Sequence, residues 1–119
     1  MKPSEGRYLG EGLIELPLKA TTRAKLHELG HKRFGHEPGK MGAGTFVDNE
    51  IDAEKWAWET MSKTPTHRVG LPALVSLIED YDFSIQEALD LVTTRLKAKG
   101  VTVTRRGRED LARFASGEF

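Results

Sequence analysis

Apolar positions along the chain form short clusters divided by glycine, proline and charged stretches, and their spacing changes from segment to segment. Near the start, Leu13-Ile14-Glu15-Leu16 lies between Gly12 and Pro17. It reads as a short strand close to a sheet edge, because proline has no N–H to give to a ladder. Thr21 or Thr22 offers an N-cap for a helix over residues 22–34 that Gly35 ends. Pro38 and four glycines within residues 35–44 predict a mobile loop. Thr45-Phe46-Val47 reads as a second small strand, after which Asp48 or Asn49 caps a helix over residues 50–61 that stops before Pro65.

Further on, Pro72 suits the first turn of a helix over residues 71–80. Ser84 caps a helix over residues 85–99, with Glu87 as its capping-box partner and Gly100 as its stop. Val101-Thr102-Val103-Thr104 reads as a third short strand, followed by a last helix over residues 107–115. This pattern predicts an α+β fold in one domain, residues 1–119. A short β-sheet would pack on the first helix with the second helix beneath it. Residues 8–65 would make the core and residues 66–119 a helical C-terminal portion.

Composition narrows the chemistry. The 119 residues suffice for one core, and 38% apolar with 30% charged residues is a soluble globular balance. Eighteen basic residues cancel eighteen acidic ones, so there is no general attraction to nucleic acid or anionic lipid. With no cysteine, disulfides and thiolate metal sites are excluded, and a transition-metal site must use His, Asp and Glu. The polar start lacks the apolar run of a secretory signal, and no stretch reaches the length of a membrane span. The expectation is a cytoplasmic protein with no membrane partner.

Against that background, His27-Glu28-Leu29-Gly30-His31 carries the chemistry. Histidines four apart on a helix stand one above the other, so both imidazoles can reach one ion. Zinc lowers the pKa of water bound to it to about 7, and Glu28 is placed to take the proton as general base. A catalytic zinc site needs a third ligand and an open position. Helical spacing puts Glu50, Ala53, Glu54, Ala57 and Met61 on one stripe of the second helix. Its alanines permit close approach to the first helix, so Glu50 is the expected third ligand, with Glu54 or Asp48 accepting from a ligand imidazole N–H.

The HELGH helix followed by Glu50-Ile51-Asp52-Ala53-Glu54-Lys55-Trp56-Ala57 resembles the ImmA/IrrE-type metallopeptidases, gluzincins with HExxH and a downstream E-x-x-A helix. The resemblance covers residues 13–61. It implies a small zincin-like domain in which His27, His31 and Glu50 hold Zn²⁺ and Glu28 is the catalytic base. It also implies a protein or peptide substrate, such as a transcriptional repressor. The alternative from another class is a non-catalytic, metal-containing interaction module of antirepressor type.

Other residues carry weaker expectations. His36 would face away from His27 if the helix continued, unless Gly35 turns the chain back; as a fourth ligand it would close the site to water. His67, Arg68 or Tyr81 is a candidate donor to a transition-state oxyanion, and His67 is the expected second catalytic residue. Trp56, Trp58 and Phe46 flank the proposed site; Trp56 reads as core, whereas Trp58 projects to a different side and could line a peptide surface. The strand at residues 13–16 offers an edge to an extended peptide. Lys97, Lys99, Arg105, Arg106 and Arg108 bracket the third strand as in a winged-helix DNA reader, but the acidic residues beside them favour a solvated face.

Overall fold

A computed structural model describes residues 7–10, 13–15, 21–36 and 41–117. The body is helical. Among the described residues five α-helices follow one another: α1 (Thr22–Arg33), α2 (Ala43–Thr60), α3 (Leu71–Asp80), α4 (Ile85–Ala98) and α5 (Arg105–Ser116), with a 3₁₀ turn at His67–Gly70 before α3. The α+β class expected from the sequence is therefore corrected, since no sheet layer forms among the described residues. Extended pairing among the described residues is confined to an antiparallel hairpin, β1 (Arg7–Gly10) and β2 (Leu13–Glu15). Leu16 and Pro17, on which the edge-strand expectation rests, lie outside the described residues, as does the 37–40 stretch of the glycine-rich loop.

Two segments read as strands are not strands, for different reasons. Residues 45–47 belong to the first turns of α2, because Val47 and Ile51, one turn apart, are both fully buried in a helical stripe. Tertiary burial overrides the strand preference of a β-branched run. Residues 101–104 form an extended connection: Val101 is buried, and the Thr104 hydroxyl accepts from Gly107 N–H at 3.1 Å as the N-cap of α5. Without a strand there, the winged-helix reading loses its wing. Arg108 meets Asp90 at 2.6 Å and Arg105 meets Glu109 at 3.5 Å.

The chain resolves into two compact units, residues 1–40 with 52–64, and residues 41–51 with 65–119. The second has the ordinary helical core. Leu74 and Leu77 from α3, Leu89, Val92 and Leu96 from α4, and Leu111 from α5 are buried, each contributing roughly 1.5–3 kcal/mol. Its element ends follow their local chemistry. Ser84 and Glu87 form a reciprocal capping box at the start of α4, and Gly100 after its end takes φ +82°.

The first unit is built differently. The buried stripe of α1 is Ala24, His27, Glu28 and His31, spaced i, i+3, i+4 and i+7, the usual spacing of a core face. Three of those four positions carry polar groups. No helix among the described residues is long and apolar enough to cross a membrane.

Candidate metal centre

Thr21 starts α1 where the site needs it, its hydroxyl accepting from Ala24 N–H at 3.1 Å. One and two turns later come His27 and His31, 7% exposed each, with Glu28 at 6%. Burial of three such groups on one stripe would cost several kcal/mol if they lacked partners. Gly30 lets α2 come close: a Cβ there would stand 2.9 Å from the Ala53 Cα and carbonyl oxygen. The close approach expected from small residues is present, with glycine on α1 and alanine on α2.

That approach brings Glu54 of α2 to the first histidine. His27 Nδ1 lies 2.8 Å from Glu54 Oε1. Arg23 Nη1 donates to both Glu54 oxygens, at 2.7 and 2.8 Å, and the Trp58 indole N–H donates to Oε2 at 3.3 Å. Burial pushes the Glu54 carboxyl up, but its hydrogen bonds and charge interactions with His27 and Arg23 outweigh this and hold it below its ordinary value. An ionised carboxylate only accepts, so His27 Nδ1 carries the hydrogen, and in the neutral ring it is Nε2 that presents a lone pair.

The two Nε2 atoms converge. His27 Nε2 and His31 Nε2 are 3.1 Å apart, and their rings meet edge to face. Two nitrogens bound at about 2.0–2.1 Å to a tetrahedral ion stand about 3.3 Å apart, so this pair has the spacing to share one metal ion. His27, Glu28 and His31 bring one potential ligand atom each within 4.8 Å of one another. A carboxylate beside two converging imidazole nitrogens can ligate an ion or move a proton next to it.

Of the other candidates, Glu50 is half-buried on α2, one turn before Glu54 on the same stripe. Burial raises the Tyr81 phenol above its ordinary 10.0, and the charges of Asp80 and Glu50 add to the effect. Its hydroxyl donates to the Met41 carbonyl at 3.2 Å. Asp48 pairs with Arg95 at 3.4 Å, so of the two acids expected to meet an imidazole N–H it is Glu54 that meets His27 Nδ1. Trp58 serves the site through Glu54, Trp56 is half-buried, and Phe46 packs its ring on Tyr81 at 5.1 Å.

His36 turns its Nδ1 to His31 Nδ1 at 3.0 Å, which is the nitrogen across the ring from Nε2. His67 belongs to the second unit, where its Nε2 meets Asp110 Oδ2 at 2.6 Å while Arg68 binds both Asp110 oxygens. Neither histidine is part of the His27–Glu28–His31 group. The residue that sequence reasoning missed is Arg23. Its signal was faint: a cation one turn before His27 on the same helix.

Models of known protein families, curated proteins and solved structures were all compared with the chain, and none matches.

Proposed function

We propose that this chain is a zinc-dependent peptidase that hydrolyses peptide bonds in a protein substrate, a regulatory protein such as a repressor. The observation that carries the reading is the convergence of the His27 and His31 Nε2 atoms, with Glu54 fixing His27 from behind. A carboxylate on the far nitrogen of a ligand imidazole sets its tautomer and raises its basicity, the usual support of a metal-binding histidine. Buried histidines kept for packing alone have no need of this arrangement.

In this reading His27, His31 and Glu50 hold the ion. Glu50 is carried as the third ligand from the sequence, by its place on the E-x-x-A stripe, and stands outside the His27–Glu28–His31 group. Bound zinc supplies Lewis acidity, polarising the scissile carbonyl and acidifying water. Glu28 takes a proton from the attacking water as its oxygen bonds to the carbonyl carbon. The same carboxyl then delivers that proton to the leaving nitrogen as the C–N bond breaks. Arg23 and Trp58 keep Glu54 in place and so keep His27 oriented.

Elemental analysis of wild type beside Glu50→Ala, with a cleavage assay on Glu28→Gln, tests the proposal. The expected result is about one zinc per wild-type chain, largely lost from Glu50→Ala. Glu28→Gln should keep its zinc and lose cleavage. A folded wild type that takes up no zinc would overturn the metal site, and activity retained by Glu28→Gln would overturn the mechanism. The interaction-module reading has no observation of its own in its favour, because the His36 nitrogen that meets His31 does so on the side away from the converging pair.

A further inference from the structure

The end of α1 is built so that His36 comes back to the site. Phe34 caps the helix, and Gly35 takes φ +70°. Gly35 N–H then bonds the Lys32 carbonyl at 3.2 Å, and His36 N–H the His31 carbonyl at 2.9 Å. These are the two bonds of a Schellman motif, which sets the second residue after the cap against the residue one turn inside the helix. An apolar pair usually fills those two places. Here they hold His36 and His31, with Nδ1 atoms 3.0 Å apart and the His36 ring stacked on Phe34 at 5.6 Å.

The pair has a definite proton logic. His27 Nδ1 donates to Glu54, so in the neutral ring His27 Nε2 is a lone pair. Without a metal, a hydrogen in the 3.1 Å Nε2 contact must come from His31 Nε2, which leaves His31 Nδ1 to accept from His36. With a metal at both Nε2 atoms, His31 carries its hydrogen on Nδ1 and His36 must accept it, keeping its own on Nε2. Each ring keeps one hydrogen throughout. Only an imidazole, or another group that can both donate and accept at that place, meets both demands.

We infer that His36 is a positioning residue for metal binding: it accepts the Nδ1 hydrogen of His31 and so holds His31 Nε2 toward the ion, as Glu54 does for His27. The inference rests on the metal-site reading above and adds a second support to it. The two ligand imidazoles are braced by different means, one by a carboxylate from α2 and the other by a histidine that the terminus of α1 itself delivers.

The test is zinc affinity, measured against a chromogenic chelator, for wild type, His36→Ala and His36→Gln, with amide-proton NMR to establish that each variant is folded. Loss of an orienting partner weakens metal binding by about 10- to 100-fold, which is the result expected for His36→Ala. The Gln carbonyl can accept in place of the imidazole, so His36→Gln should recover most of the affinity. ¹¹³Cd-loaded, ¹⁵N-histidine-labelled wild type needs no variant and should show metal coupling to His27 and His31 and none to His36. Undiminished affinity in a folded His36→Ala, or coupling from cadmium to His36, would overturn the inference. Wild type that takes up no metal would overturn it together with the metal site. Wild type that binds zinc through His36-dependent affinity yet cleaves no peptide would support the inference and count against the peptidase alone.

Discussion

At the scale of single residues, Glu54 concentrates the most consequences in one side chain. It accepts from Arg23, His27 and Trp58 at a nearly fully buried position. Glu54→Ala would leave the His27 Nδ1–H buried without its acceptor and release the guanidinium of Arg23. A loss of about 1–3 kcal/mol in unfolding free energy is expected from urea titration. Zinc affinity should fall about 10- to 100-fold in the same protein. Equal stability and equal affinity would mean that the carboxylate orients nothing. Gly35 makes the complementary case for backbone conformation. A Cβ there would meet no atom within 4 Å, so Gly35→Ala is charged only with holding φ +70°, about 1–2 kcal/mol. Thermal unfolding should register that cost.

At the scale of elements, the sequence could be read where a boundary is written in local chemistry. Thr21 and Gly35 bracket α1, Pro72 opens α3, and Ser84 with Glu87 opens α4, each acting through backbone groups within a few residues. The start of α2 was illegible because Phe46-Val47 looks the same whether it faces a sheet or a helical core. Only the distant partners of Val47 and Ile51 decide between them. The same division runs through the candidate site. His27, Glu28 and His31 lie within little more than one turn of one helix, so their grouping follows from helical geometry. Choosing Glu54 over Asp48, and finding Arg23 at all, required the contact between α1 and the end of α2. That contact is itself a prediction. Gly30→Ala sets a Cβ 2.9 Å from the Ala53 backbone, which cannot rotate away, and overpacking of this kind costs about 1–3 kcal/mol. Differential scanning calorimetry should show a lower Tm for Gly30→Ala. An unchanged Tm would mean that the two helices separate without penalty.

At the scale of the whole molecule, the two compact units differ in what they bury: apolar helix faces in the second, and in the first, among the described residues, His27, Glu28, His31 and Glu54 beside small alanines. The stability of the second unit should answer to acid. In the second unit Asp110 on α5 receives Arg68 and His67 from the 3₁₀ turn, while the Arg68 guanidinium also lies 4.9 Å from the Phe114 ring centroid. Hydrogen bonds from Arg68 and then His67 lower the Asp110 carboxyl from 3.8 to about 2. A carboxylate with a depressed folded-state pKa contributes stability above its unfolded value, and that contribution is lost as pH falls through the folded one. Asp110→Asn should thus cost about 1–2 kcal/mol near neutral pH, a range that allows for partial exposure of the pair. The gap between wild type and variant should hold down to about pH 5 and close progressively toward pH 2. Urea titrations of both proteins across that interval would measure it. Because Arg68 is half-exposed, the gap should also narrow in high salt, as it would not for a buried apolar contact. A gap that stays constant from pH 7 to pH 2 would assign the stability lost in Asp110→Asn to packing rather than charge.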